Sequence, residues 1–83
     1  MKKNYKYWVE LLAYDREKQA YDMEKHLFFD VHTLKSVFDV ATRFVNEHEN
    51  AVPAYREDPD IVVALSAEDD KYLYSFEIEI QPN

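Results

Sequence analysis

The stretch that decides the fold is residues 72–80, Tyr-Leu-Tyr-Ser-Phe-Glu-Ile-Glu-Ile. Apolar side chains fill every second position, and Glu77 and Glu79 stand between the last of them. Alternation with period two in aromatic and branched residues predicts a strand with one face in a core and the other toward water. The core row is Tyr72, Tyr74, Phe76, Ile78 and Ile80.

The segment before this strand supplies its antiparallel neighbour. Residues 68–71, Glu-Asp-Asp-Lys, predict a turn in which Asp adopts the left-handed conformation usually left to Gly. Residues 61–65, Ile-Val-Val-Ala-Leu, form a continuous apolar run that predicts a central, buried strand. Residues 50–60 are polar, contain Pro53 and Pro59, and predict a loop.

The N-terminal part of the chain predicts a β-hairpin. Residues 5–14 alternate with period two, residues 15–19 are a polar break, and residues 20–29 alternate again. Lys25 falls in the apolar row of the second segment, which indicates a strand near an edge of the sheet.

The segment that follows predicts one amphipathic helix of about 17 residues, because apolar side chains recur with helical spacing from Val31. Asp30 is the predicted N-cap, since its carboxylate can accept from free amides of the first turn. Asn50 and then Pro53 are expected to end the helix.

These elements predict a single domain over residues 1–83 with the order ββαββ. The expected class is α+β, with two layers: a four-stranded antiparallel sheet and one helix packed on one of its faces. Two strand orders, 2-1-3-4 and 1-2-4-3, are considered, and the sequence does not choose between them.

The composition of the chain excludes several classes of function. The chain of 83 residues has a net charge of −7 and contains no Cys and no Gly. Disulfides, thiolate chemistry and glycine-rich phosphate loops are therefore excluded. The N-terminus shows no apolar segment typical of a signal peptide or a membrane span, and the expected location is the cytoplasm.

The charge lies mainly in the second half of the chain. Residues 44–83 hold ten acidic residues against Arg56 and Lys71, whereas residues 1–43 are close to neutral. Direct binding to nucleic acid or to an anionic membrane is disfavoured, because both need the opposite charge.

No catalytic or metal-binding arrangement is recognisable. His26, His32 and His48 fall on different predicted elements without the close pairing of zinc ligands. The acids at 68–70 lack the spaced ligands and central Gly of a calcium loop. The sequence predicts a protein that is not an enzyme and has no catalytic residue, metal or cofactor.

The acidic residues are instead candidates for a partner-binding surface. Residues i and i+2 of a strand point the same way, so Glu77 and Glu79 form one row and Asp22 and Glu24 another. Such rows resemble a run of backbone phosphates, although charged strands and turns also serve solubility alone. The predicted surface comprises Asp22, Glu24, Glu57, Asp58, Asp60, Glu68, Asp69, Asp70, Glu77 and Glu79.

A second set of side chains predicts a homodimer interface. The helix covers only one face of the sheet, so apolar residues on the other face need a different cover, which a second copy would supply. Alternatively, they are scattered exposed aromatics of an ordinary surface. The set is Trp8, Leu12, Tyr14, Phe28 and Leu73.

The chain resembles the small acidic inhibitors that bacteriophages make against host proteins. The resemblance lies in size, the absence of Gly and Cys, the C-terminal charge bias and carboxylate rows such as Glu77 and Glu79. Many such inhibitors mimic DNA, and one kind targets the nucleoid protein HU. The ten Lys and Arg of this chain are a departure, because several known mimics are more purely acidic.

The resemblance implies a non-enzymatic, dimeric protein that occludes the surface of a basic DNA-binding protein in the cytoplasm of the bacterial host. The alternative hypothesis is a homodimeric protein–protein interaction module whose acidity serves only solubility.

Overall fold

The computed structural model describes residues 7–81, and Tyr5 and Lys6 of the first predicted strand lie outside them. The described part contains one α-helix and six strands. The elements are β1 (Tyr7–Asp15), β2 (Ala20–Tyr21), β3 (Leu27–Val31), α1 (Leu34–Glu47), β4 (Val52–Pro53), β5 (Ile61–Glu68) and β6 (Tyr72–Ile80).

The predicted α+β class with one helix is confirmed, but the described sheet has six strands instead of four. All its pairs are antiparallel, and the order along one path is β2-β1-β6-β5-β4, with β3 also paired to β1. In terms of the four predicted strands this is 2-1-4-3, so both predicted orders were wrong. The last long strand lies in the centre of the sheet, with β1 on one side and β5 on the other.

The core lies between α1 and the sheet face that carries the odd-numbered residues of β1. Val9 and Ile78 are paired across β1 and β6 and are both fully buried. Phe44 of α1 stacks on Phe76 with ring centroids 4.8 Å apart. Val37 is the other buried apolar residue of the helix. Burial of these side chains is the main stabilising contribution to a domain of this size.

The second predicted strand is interrupted, which changes the direction of its side chains. The 3₁₀ turn Met23–Lys25 separates β2 from β3. Tyr21 pairs with Tyr14 and Phe28 pairs with Glu10, so an odd and an even residue lie on the same sheet face. The turn thus breaks the period-two alternation that predicted one continuous strand over 20–29.

The helix begins later than predicted. Asp30 is a residue of β3, paired with Trp8, and is not the N-cap. Thr33 is the N-cap, and its Oγ1 accepts from the Ser36 amide at 3.1 Å. The helix has 14 residues and ends at Glu47 with His48 as its C-cap.

The apolar run 61–65 does not form the central strand. It begins β5, which has β6 on one side and only the two-residue β4 on the other. Val62 is exposed and Leu65 is half-buried. The prediction was wrong because a continuous apolar run gives burial on two faces only where both faces are covered, and α1 covers one.

Four turns are closed by aspartate side chains instead of glycine. Oδ1 of Asp15, Asp22, Asp58 and Asp69 each accepts a hydrogen bond from a main-chain amide two residues ahead. Gln19 is the one residue in 7–81 with positive φ, so the predicted left-handed Asp in the turn at 68–71 was wrong. Short carboxylates satisfy the turn amides without that conformation.

Candidate functional site

The sheet face opposite α1, called the outer face here, carries the even-numbered residues of β1. Strand register places Glu10 and Leu12 on it beside Glu77 and Ser75 of β6. Ala64 of β5 lies next to Glu77 on the same face. No described helix covers this face, and its side chains are half-buried, as Glu10 and Leu12 are, or exposed, as Phe28 and Leu73 are.

Five carboxylates gather on and beside one end of the outer face. Glu10 lies directly opposite Glu77 across the β1–β6 pair. Burial and the neighbouring charges of Asp58, Asp60 and Glu77 raise the pKa of the Glu79 carboxyl above its ordinary value. We call this group, Glu10, Asp58, Asp60, Glu77 and Glu79, the acidic patch.

One basic side chain lies against the acidic patch. The Arg56 guanidinium forms an ion pair with Glu77 through Nε and donates to Ser75 Oγ at 2.9 Å through its Nη2. Among residues 7–81, the patch therefore holds five carboxylates and one closely paired guanidinium, so the described charge there is negative.

Several of the acids predicted from the sequence lie elsewhere. Glu68, Asp69 and Asp70 lie at or beside the β5–β6 turn, at the end of β6 remote from Glu79. Residues 72 and 79 of an extended strand are about 23 Å apart. Glu68 forms an ion pair with Arg16, and Glu57 is exposed in the loop before β5. The structure thus divides the predicted surface into two groups.

Asp22 and Glu24 do not form the predicted row. Asp22 caps the 3₁₀ turn that includes Glu24, and its Oδ2 accepts from the Tyr72 hydroxyl at 2.9 Å. That hydrogen bond holds the pKa of Asp22 below its ordinary value. Asp22 therefore points to the face on which α1 packs, because the chain turns instead of extending through residues 23–25.

The five residues of the predicted dimer interface share the outer face. Tyr14 lies opposite Leu73, Trp8 opposite Glu79, and Leu12 opposite Ser75, while Phe28 lies across from Glu10. Trp8 and Phe28 contact each other with ring centroids 5.6 Å apart. Strand register places these five residues on one face, whereas the binding of a second copy to this face stays a prediction.

These aromatics belong to a longer series that the sequence did not reveal. His26 lies 4.8 Å from Phe28 and 6.2 Å from Tyr21, and Tyr21 lies 5.4 Å from Tyr14, between ring centroids. We call the series Trp8, Phe28, His26, Tyr21 and Tyr14 the aromatic row. The alternation over 20–29 had placed Tyr21 in the core row. Lys25, out of phase in that row, was the one signal of the break.

Two acidic residues of the outer face were also missed. Alternation over residues 5–14 places Glu10 on the side of Trp8 without predicting a role for it, and Asp30 is predicted to be a helix cap. Their position beside Glu77 and Trp8 depends on the β1–β6 and β1–β3 pairings. Hydrophobic pattern alone does not supply these pairings.

The histidines have structural partners. His32 Nε2 lies 2.9 Å from Asp30 Oδ2, and the ring of His48 packs between Phe44 and Tyr74. Among residues 7–81, no group of three or more His, Asp or Glu side chains has a geometry that would hold a metal ion. The helix of the described chain is too short and polar to cross a membrane.

What the site offers is therefore a charged and aromatic surface. Its acidic patch adjoins its aromatic row, since Trp8 lies opposite Glu79 across β1 and β6. Comparisons with protein-family models, with curated proteins and with solved structures found no match to this chain.

Proposed function

We propose that the protein is a non-enzymatic inhibitor that mimics DNA and occludes the surface of a basic nucleic-acid-binding protein of a bacterial host. The observation that carries this proposal is the crowding of carboxylates in the acidic patch. A regular array of negative charge attracts the same lysine- and arginine-rich surface that binds a phosphate backbone. The site of action under this proposal is the bacterial cytoplasm.

The close approach of carboxylates in the acidic patch opposes folding. A role of these carboxylates in binding would explain why they lie together. Like charges placed directly opposite on neighbouring strands, as Glu10 and Glu77 are, destabilise a sheet. Burial, and after it the neighbouring charges of Asp58, Asp60 and Glu77, raise the pKa of Glu79, so the ionised carboxylate is unfavourable in the folded chain. Departures from locally favourable sequence are concentrated at functional sites.

The aromatic row supports a cationic partner over a neutral one. Arginine stacks on aromatic faces and also pairs with carboxylates, so one guanidinium can use both groups. Trp8 faces Glu79 across β1 and β6, which brings an indole ring and a carboxylate onto adjacent strands.

The test begins with capture of partners from a bacterial lysate at low and at high salt. The captured basic proteins, with purified HU as the first specific candidate, are then titrated in the presence and absence of duplex DNA. The proposal expects binding that weakens steeply with salt and is displaced by duplex DNA.

A matched pair of variants separates the patch from net charge. Glu10→Gln with Glu79→Gln removes two charges from the patch, whereas Asp39→Asn with Glu47→Gln removes two from α1 on the other side of the sheet. We expect the patch variant to bind about tenfold more weakly and the helix variant to bind nearly as the wild type does. Equal weakening in both, or binding indifferent to salt, contradicts the proposal.

A second candidate function is a homodimeric interaction module whose acidity serves only solubility. The observation in its favour is the exposure of Phe28 and Leu73 on the outer face. In this case Trp8→Ala abolishes partner binding, while the Glu10 and Glu79 variants leave it intact.

A further inference from the structure

We propose that two copies of this chain associate through the edge strand β3. The two β3 strands pair antiparallel about a two-fold axis, so that the sheets of both copies form one continuous sheet. This interface differs from a sheet-to-sheet dimer over the outer face. It leaves the acidic patch exposed, and it does not depend on the identity of any basic partner.

The first ground is the composition of the strand. Leu27, Phe28 and Phe29 are 50%, 48% and 37% exposed, although they are three consecutive large apolar residues. β3 pairs with β1 on one side, and no described strand pairs with its other side. An edge with free main-chain groups and apolar side chains on both faces readily accepts another strand.

The second ground is the contrast with the opposite edge of the same sheet. There β4 pairs with β5, and its Pro53 cannot donate to a further strand. Ala54 then donates from its amide to the Ala64 carbonyl at 2.9 Å, which continues the cover over β5. One edge is closed by proline and loop, whereas the β3 edge within residues 27–31 carries a single charge, Asp30.

A crevice beside β3 gives the side chains of a second strand a place to pack. It has a volume of about 90 Å³ and lies between the strand and α1. Leu27 and Phe29 line it together with Val40 and Phe44. An adjacent strand would cover this opening on one face of the sheet and contact Phe28 on the other.

Charge identifies the occupant as a second copy instead of the basic partner. Residues 20–43, which contain β3 and most of α1, hold four acidic residues and three Lys or Arg, close to balance. Two such surfaces approach without strong repulsion. Stacking two outer faces would instead oppose the carboxylates of Glu10, Glu77 and Glu79. A two-fold pairing of β3 also pairs this edge in both copies, and the combined sheet then ends at the two β4 edges that Pro53 closes.

The test is the oligomeric state of matched leucine variants, measured by light scattering and sedimentation over a range of concentration. Leu27→Lys places a charge on the β3 edge, and Leu73→Lys places one on the outer face, where Leu73 is 42% exposed. We expect wild type and Leu73→Lys to have twice the mass of one chain. For Leu27→Lys we expect a dissociation constant at least about tenfold higher.

A second measurement does not depend on a variant. Amide hydrogen exchange within residues 27–31 should slow as protein concentration rises, because strand pairing protects edge amides that are free in a single copy. A wild type that is monomeric throughout, or dissociation by Leu73→Lys but not by Leu27→Lys, overturns the proposal. Exchange in β3 that is independent of concentration overturns it as well.

Discussion

Two tyrosine hydroxyls connect aspartates to the end of β6 near the β5–β6 turn. Tyr72 donates to Asp22, and Tyr74 donates to Asp69 at 3.0 Å. The hydrogen bond to Asp22 and burial raise the pKa of Tyr72 to about 12. Burial, followed by the hydrogen bond to Asp69, raises the pKa of Tyr74 to about 12.

These shifts predict a loss of stability in alkali. A phenol whose pKa is higher in the folded than in the unfolded chain stabilises the fold fully below about pH 10, the unfolded value. That contribution is lost as the pH rises from about 10 to about 12. We expect phenolate absorbance to show a late phase near pH 12, and the phase should shrink in Tyr72→Phe and in Tyr74→Phe.

Tyr55→Phe is the matched control, because Tyr55 lies exposed in the loop before β5. This variant removes one phenol and should leave the late phase in place. A late phase that persists in the double variant of Tyr72 and Tyr74 would contradict the assignment.

For single residues, the sequence predicted the core row of β6 except Ile80, which is 44% exposed at the strand end. It did not predict what the polar atoms of that row contact. Alternation places Tyr72 and Tyr74 in the core row, as observed. The partner of Tyr72 is Asp22, fifty residues away, and it was expected on the opposite face. A contact of this kind depends on the 3₁₀ turn, whose local preference is too weak to read from composition.

Among the elements, α1 illustrates how a local signal can mark the wrong cap. Asp30 and Thr33 both suit an N-cap position, and the two are three residues apart. The competing demand is strand pairing: β1 holds Asp30 opposite Trp8. The helix therefore starts only after β3 ends.

This choice of cap is testable by substitution. Thr33→Ala removes the acceptor for the Ser36 amide and should lower the free energy of unfolding by about 1 kcal/mol. Asp30→Asn keeps the shape of the β3 residue and should have the smaller effect. Urea denaturation of both variants measures the difference, and a larger loss from Asp30→Asn would favour Asp30 as the cap.

Strand order, like the position of the helix cap, is not determined by local sequence alone. Period-two alternation predicted β1 and β6 correctly, since both have one face under α1. The continuous apolar run of β5 was assigned to the centre because periodicity reports only the polarity of each position. Strand order depends on where α1 returns the chain, and the sequence pattern does not contain that information.

Over the described molecule, two groups of acidic residues lie at opposite ends of β6. The acids near the β5–β6 turn have hydrogen-bond or ion-pair partners such as Tyr74 and Arg16. In the acidic patch Glu77 pairs with Arg56, while Asp58, Asp60 and Glu77 repel the charge of Glu79. The acids of the predicted surface are therefore separated into two groups, because only the fold determines which carboxylates meet.

Glu79→Gln should separate stability from binding. The pKa of Glu79 is higher in the folded chain, so its ionised form opposes folding, and this cost is relieved as the pH falls toward that pKa. At pH 7 we expect Glu79→Gln to raise the free energy of unfolding by up to about 0.5 kcal/mol. We expect the same variant to bind a basic partner more weakly.

Thermal and urea unfolding of Glu79→Gln, beside Glu47→Gln from α1, provide the comparison. The gain in stability should diminish in acid, where Glu79 of the wild type is already protonated. If Glu79→Gln destabilises the protein at pH 7, the carboxylate is a structural group and the crowding argument fails.

Aspartate and glutamate in this chain differ in which substitutions they tolerate, because four of the aspartates close turns. Asp15, Asp22, Asp58 and Asp69 reach amides two residues ahead because their side chains are short, a reach that a longer glutamate does not reproduce. The crowded acids of β1 and β6 are all glutamates. A redesign for lower charge can therefore exchange Glu10 and Glu79 without opening a turn. At the turns it must keep a side-chain oxygen, as asparagine does, or supply glycine to a chain that has none.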